Sequence, residues 1–235
     1  MAKLPILMYH KVASDQSKGL TISAEKLAAQ FQFLASNGYQ SYHLSTLAIL
    51  KKLPQPKKNV VITFDDGYVS QLEHAVPLLQ KYNLKATFFI PLQYVGAEDA
   101  WNEERSPIMD AETLRSLDPS VIELAYHSYA HQRYDEMPLE AIDRDTEQAF
   151  ARASEQAMPL GPYLAYPYGK FPRTQPQKSE FFNLLKQHQF EYGLRIGNRI
   201  NRFPFKKPFE IQRIDVKGEW GLNTFKRKIR FGRLL

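Results

Sequence analysis

Short, uninterrupted apolar runs alternate with amphipathic segments along the whole chain, and this alternation limits the possible folds more than any other feature. Ile6-Leu7-Met8-Tyr9, Val60-Val61-Ile62-Thr63-Phe64 and Ala86-Thr87-Phe88-Phe89-Ile90 lack the polar alternation of a half-exposed strand. They read as strands buried on both faces, the kind that parallel sheets covered by helices contain. Further strands are expected over Val121 to Tyr126, Tyr163 to Tyr166, Tyr192 to Ile196 and Ile211 to Val216. Ser23 is a candidate N-cap for a helix that places Leu27, Phe31 and Leu34 on one face and meets Gly38 just past its end. Helices are also expected over Leu72 to Tyr82, Pro138 to Gln156 and Phe181 to Gln189, with a C-terminal one built on Leu222, Phe225 and Ile229. This spacing predicts a parallel sheet with helical crossovers, barrel-like or open, in one α/β domain spanning residues 1–235. The stretch Pro54 to Lys58 reads as a surface loop feeding the strand at Val60.

Cysteine is absent, which excludes disulfides, thiolate metal sites and a cysteine nucleophile. Any metal must be held by histidine and carboxylate. Only a short apolar stretch precedes His10, far below the ~20 residues that span a bilayer and too short for a signal-peptide core. The expectation is a cytoplasmic protein. Its formal charge of +6 is concentrated late in the chain, at Lys206-Lys207, Lys226-Arg227-Lys228, Arg230 and Arg233. No nucleic-acid-reading motif accompanies that charge, so no nucleic-acid partner is expected. Two accounts of the basic C-terminal helix remain: packing on the domain with a solvated basic face, or peripheral contact with anionic lipid at the inner face of the membrane. The first is the simpler.

In parallel α/β folds the reactive groups gather at the carboxyl ends of the strands. Here three strands end in polar clusters: Thr63-Phe64-Asp65-Asp66-Gly67, His127-Ser128-Tyr129-Ala130-His131 and Tyr166-Pro167-Tyr168-Gly169. Adjacent aspartates after a buried strand are costly unless a cation meets them. A turn opening at Gly67 would bring both to one pocket, although Asp-Asp-Gly is also ordinary turn chemistry. His127 and His131 stand four apart, the spacing that puts two imidazoles on one face of a helical turn, as in zinc proteases. No glutamate follows His127, so the protease reading fails; alone, the pair could be two unrelated surface histidines. Two imidazoles and one carboxylate together make a three-ligand set that leaves coordination positions open for water and substrate.

These three motifs, in this order, resemble the signature of the polysaccharide deacetylase family, carbohydrate esterase family four, whose domain is shared with nodulation chitooligosaccharide deacetylases. Met8-Tyr9-His10-Lys11-Val12 and Ile22-Ser23 through Gly38-Tyr39 are similar to the opening of the branch that deacetylates exopolysaccharide poly-N-acetylglucosamine. The resemblance implies a distorted (β/α)7 TIM-like barrel, with Asp66, His127 and His131 holding a divalent metal and Asp65 as general base. Zinc is the first expectation; cobalt, nickel and iron also suit the donors. The family's usual arginine before Pro-Tyr-Gly is replaced by Ala165 or Tyr166, and its C-terminal Asp-x-x-Asp-Trp and Leu-x-Ile-x-His motifs are not evident. In the exopolysaccharide branch the acid histidine comes from the first strand, which here is His10; its plainer reading is a strand-end histidine capping a carbonyl. Arg213 is the candidate to replace the missing arginine by bracing Asp65, with pairing to Asp215 or exposure as alternatives.

The activity so implied is removal of N-acetyl groups from an acetylated amino-sugar glycan. The metal would polarise the acetamide and acidify water, Asp65 would take the water's proton, and His10, as imidazolium, would protonate the departing amine. The backbone N–H of Tyr168 would help hold the oxyanion, since Pro167 has none to give. Tyr68, Trp101, Tyr126 and Tyr129 are candidate walls of a sugar site, though packing is the commoner fate of such residues. Two alternatives stand beside this reading: an O-acetyl esterase or amidase using the same metal set, and a glycan-binding relative with a degenerate site.

Overall fold

The computed structural model describes residues 2–54 and 58–233, so most of the expected loop after Pro54 lies outside the described residues. Seven parallel strands close into a barrel: β1 (Ile6–Tyr9), β2 (Lys58–Asp65), β3 (Ala86–Ile90), β4 (Ile122–Tyr126), β5 (Leu160–Ala165), β6 (Tyr192–Ile196) and β7 (Ile211–Asp215). Closure runs through β1, which pairs with β7 at Leu7 and Met8 and with β2 from Ile6 to Tyr9. The expected strands and the closed α/β barrel are therefore present. The seam between β4 and β5 is irregular, its register shifting after Ala125.

Side chains alternate between two environments along each strand. Leu7, Ile62, Phe64, Phe88 and Ile90 point outward into one apolar cluster with helix residues. Ile6, Val61, Phe89, Ala125, Ala165, Leu194 and Ile211 point inward and fill the barrel floor. The next inward positions, Thr63 and Asp65 on β2 and Arg213 on β7, are buried polar groups, and they form the underside of the site.

The helices are α1 (Ala24–Ser36), α2 (Leu44–Ile49), α3 (Val76–Lys81), α4 (Ala111–Ser116), α5 (Leu139–Glu155), α6 (Gln177–Gln187) and α7 (Leu222–Phe231). Ser23 caps α1 by accepting from the Lys26 N–H, and Gly38 at φ +72° ends it, as the sequence predicts. The helix expected from Leu72 starts instead as a π-turn over Gln71–Ala75 before becoming α3, with Pro77 in its first turn. Such π-turns often mark functional sites. This one brings Gln71 under the barrel mouth, where its amide donates to the carbonyls of His10 and Asp65 at 3.0 and 2.6 Å. Periodicity does not reveal α2 or the strand Tyr39–Ser41, which pairs outside β2. α2 is held by Glu123, whose carboxylate accepts from the N–H groups of Leu44 and Ser45. The crossover from β6 to β7 carries the short strand Asn201–Phe203, which pairs antiparallel with Ala2–Leu4.

The C-terminal helix takes the packed form. Phe225 and Ile229 are buried, and the Phe225 ring meets Phe33 of α1 edge-on at 6.2 Å. The apolar stripe of this helix thus packs on the domain, as in the simpler of the two accounts. Among the described residues no helix is long and apolar enough to cross a membrane. Phe225→Ala is expected to cost about 3–5 kcal/mol, the usual loss for truncating a buried phenylalanine, read as a lower urea midpoint at unchanged m-value.

Candidate active site

Asp65 is the last residue of β2, and Asp66 adopts φ +74° with Gly67 at +67°. The turn thus opens at Asp66 itself, one residue before the expected position. It carries both carboxylates to one pocket, where a continued strand would send them to opposite faces. Glycine suits the next position, because φ +67° strains a side chain there and its Cβ would also stand 2.9 Å from Ile90 Cδ1.

His127 leaves the end of β4 with its Nδ1 2.7 Å from the Ala165 carbonyl of β5. A carbonyl can only accept, so Nδ1 carries the proton and the Nε2 lone pair is turned to the pocket. Nε2 lies 3.5 Å from Asp66 Oδ1, and His131 Nε2 lies 3.3 Å from the same oxygen. The two imidazoles do not share a helical turn, which corrects the reason given by their spacing. They converge across a loop in which Ser128 (φ +67°) and His131 (φ +54°) are left-handed. The His131 N–H donates to Ser128 Oγ at 2.9 Å. Asp145 of α5 ties down the rest, accepting from the N–H groups of Tyr129 and Ala130 at 3.0 and 2.9 Å and from the Tyr134 hydroxyl.

Asp66, His127 and His131 each offer one ligand atom, all within 4.8 Å of one another. Asp66 Oδ1 is buried, faces both imidazoles and accepts no hydrogen bond. Burial and the neighbouring Asp65 push its carboxyl well above the usual carboxylate range. Burial also lowers His127 and His131, keeping them neutral as metal ligands must be. An orphaned carboxylate oxygen facing two neutral imidazoles fits a divalent cation.

Arg213 is fully buried and takes the bracing role among its alternatives. Its Nη1 and Nη2 donate to Asp65 Oδ1 and Oδ2 at 2.5 and 2.7 Å, Nη1 also reaches Thr63 Oγ1, and the Phe89 ring lies 5.4 Å beneath. Asp215 pairs instead with Lys217 at 2.7 Å. Burial alone would raise Asp65, but Arg213, His127 and His10 outweigh it and hold its carboxyl well below the ordinary range. His10 directly follows β1, with Nε2 3.8 Å from Asp65 Oδ2. Its Nδ1 makes no hydrogen bond, and Nε2 faces the carboxylate, so the ring caps no carbonyl. Burial pulls His10 down to about 4 against the opposing charge of Asp65.

These groups line a cavity of about 450 Å³. Trp101 lies over His131 with ring centroids 3.8 Å apart, and half-exposed Tyr168, at φ +57° after buried Pro167, stands 4.9 Å from the same imidazole. Tyr68 also lines the cavity, but its ring is buried beneath Lys11 and presents no free face. Tyr126 packs against Phe150 and Phe190 in the outer layer, so it serves the core. Lys11, Asp99, Asn102 and Asp145 escape a reading from motifs. Only Asp145 leaves a trace, as an acid on the core face of a helix beside Ile142, Thr146 and Ala149.

The sequence model of the polysaccharide deacetylase family matches residues 52–192, the segment holding both aspartates, both histidines and the Pro-Tyr-Gly turn. The chain belongs to the polysaccharide deacetylase family. Among deacetylase relatives, the putative polysaccharide deacetylase YxkH of Bacillus subtilis is 38% identical over 106 residues, 44% of this chain and 37% of that protein. Poly-β-1,6-N-acetyl-D-glucosamine N-deacetylase of Staphylococcus aureus is 32% identical over 96 residues, 40% of this chain and 33% of its own length. The matches thus span about a third of the length of these curated relatives. The Streptococcus pyogenes deacetylase PplD, solved with acetate, superposes with a TM-score of 0.80 at 16% identity, covering 97% of this chain and 98% of that one. IcaB of Ammonifex degensii gives 0.78 at 23%, covering 97% and 96%. At such identities the likeness is one of fold.

Arg213→Met strands the Asp65 charge in the barrel and is expected to destabilise this deacetylase-family domain by about 3–5 kcal/mol in denaturant unfolding. The fold favours neutral His10, so as pH falls the unfolded chain binds that proton first. The stability this contributes is complete above about pH 6.5, the ordinary histidine value, and is lost towards pH 4. Melting temperatures of the metal-free protein should therefore fall across that window, less steeply for His10→Asn.

Proposed function

We propose that this polysaccharide deacetylase homologue is a metal-dependent hydrolase that removes N-acetyl groups from amino sugars of a glycan. The observation that carries the reading is the orphaned Asp66 Oδ1 set 3.5 and 3.3 Å from two imidazole nitrogens, beside a second, separately neutralised carboxylate. A site for structural metal would not need that second carboxylate; a site that activates water would. Asp66, His127 and His131 would hold the cation, and zinc suits two nitrogens and one oxygen. Bound there, a divalent cation would acidify water and polarise the acetamide carbonyl.

The chain's own groups divide the remaining work. Asp65 stays ionised because Arg213 holds both its oxygens, and the same two bonds fix its plane. It takes the proton from water as the oxygen attacks the acetyl carbon. His10 is uncharged at neutral pH, so it receives that proton across the 3.8 Å gap and delivers it to the departing nitrogen. The C–N bond breaks, leaving acetate and a free amine. The expected imidazolium is thus formed during turnover and is not the resting state. The N–H of Tyr168 is assigned to the oxyanion, Pro167 to shaping that turn, and Trp101 with the exposed ring of Tyr168 to the sugar wall.

Two features support an amide substrate of carbohydrate type: the poly-N-acetylglucosamine deacetylase relatives, and His10 beside Asp65 as a second group able to carry the proton that an amine leaving group needs. The test is acetate release from N-acetylglucosamine oligomers by zinc-loaded protein. Activity should vanish with a chelator, return with zinc, and fall at least 10³-fold in His127→Ala and Asp65→Asn, in line with loss of groups that act together. Release of acetate from O-acetylated sugars alone would reassign the protein as an esterase, and retained activity in Asp65→Asn would remove the proposed base.

A further inference from the structure

The end of the barrel opposite the catalytic mouth carries charge that the proposed reaction does not use. A groove of about 720 Å³ lies there, between the first residues of the chain, the start of β2 and the last turns of α7. Lys3, Lys58, Lys226, Arg227 and Arg230 line it, all exposed, and among the described residues no carboxylate does. The ion pairs of the described residues include none of these five cations. Three of them lie over aromatic rings: Lys226 over Phe33 at 5.2 Å, Arg230 over Phe231 at 5.3 Å and Lys58 over Tyr39 at 5.6 Å. The rings seat the cations without neutralising them. Five like charges around one depression repel one another, so folding does not account for their gathering.

The same end also exposes apolar side chains. Among the described residues the exposed large apolar groups are Leu20 and Tyr168, which line the catalytic cavity, and Ile49 and Phe231, which do not. Phe231, 53% exposed, lines the basic groove. Ile49, 82% exposed, ends α2 and is followed by exposed Lys51 and Lys52. α2 lies at the amino ends of the strands, because its first N–H groups bond to Glu123 near the start of β4 and its Leu44 and Leu47 pack on the barrel floor. A lone exposed apolar side chain is ordinary. Set among unneutralised cations, such side chains make an interfacial surface: ring and alkyl groups enter a headgroup layer while the cations meet lipid phosphate.

We infer that the amino-terminal end of the barrel docks on an anionic phospholipid surface through the groove between α7 and the start of β2, which turns the catalytic mouth away from the bilayer. The apolar stripe of α7 faces the domain, so the contact uses the helix's cationic side with Phe231 and Ile49. A nucleic acid would match the charge but has no use for Ile49. A single phosphate would leave most of the five cations unmatched. The inference does not depend on the hydrolase reading.

The test is co-sedimentation of the whole chain with vesicles of phosphatidylcholine, either pure or containing about one third phosphatidylserine. The protein should bind the anionic vesicles at ~0.1 M salt, release from them at about 0.5 M, and ignore the neutral ones. Lys226→Gln with Arg230→Gln should weaken binding about 25-fold, from about fivefold for each cation near the surface. Lys3→Gln with Lys58→Gln, on the opposite wall, should do the same, so either pair suffices if the other fails to fold. Ile49→Ser with Phe231→Ser should also weaken it, which attraction by charge alone would not predict. Arg144→Gln with Lys186→Gln removes equal charge from exposed positions on α5 and α6 and should bind as the wild type does. Failure to sediment with anionic vesicles, or equal weakening in that control pair, would overturn the inference. So would undiminished binding in the Ile49 and Phe231 double variant, or tighter binding to a DNA duplex than to vesicles at equal phosphate concentration.

Discussion

The rest of the site depends on a guanidinium enclosed in a parallel barrel. Arg213 projects inward from β7 and grips both oxygens of Asp65 at the end of β2. The pair links two strands that flank β1 without pairing with each other. It also sets the charge of the barrel mouth. Asp65 and Arg213 cancel and the buried imidazoles are neutral, so an ionised Asp66 has no fixed cation beside it. Burial therefore favours its protonated form unless a divalent cation is supplied. One buried ion pair thus explains why one aspartate stays ionised while the adjacent one, left without a fixed partner, is suited to hold a metal.

Backbone conformation completes what charge begins. Asp66, Ser128, His131 and Tyr168 all occupy left-handed φ without being glycine; Asp66, His131 and Tyr168 line the cavity, and Ser128 follows the cavity residue His127. Such conformations each cost on the order of 1–3 kcal/mol and persist where surrounding contacts over-determine them. Here those contacts can be named: Ser128 Oγ and Asp145 hold the histidine loop, and the Ala165 carbonyl fixes the His127 ring. The strain at the mouth is supported by the layers beneath it.

The barrel strands were legible because strands covered on both faces must be apolar throughout, and such runs stand out against amphipathic helices. The aspartate pair, the histidine pair and the Pro-Tyr-Gly turn were legible because each is a polar interruption directly after such a run. α2 was not, since Leu44–Ile49 is too short to show a period and is anchored by Glu123, 78 residues or more away. The reason offered for His127 and His131 was also incomplete. Spacing suggested a helical turn, but two left-handed residues and a distant aspartate produce the same convergence.

What the amino-acid sequence determined alone is the order of strands, the polar groups at their ends and the set of side chains able to bind a cation. These follow from local composition and pattern, which need no knowledge of distant neighbours. Only the tertiary structure decided that Arg213 meets Asp65, that His10 faces the same carboxylate, and that Lys11 and Tyr68 meet at Asp99. Those contacts join residues brought together by barrel closure, and no periodicity along the chain encodes which inward-facing side chains will share a level once the ring is shut.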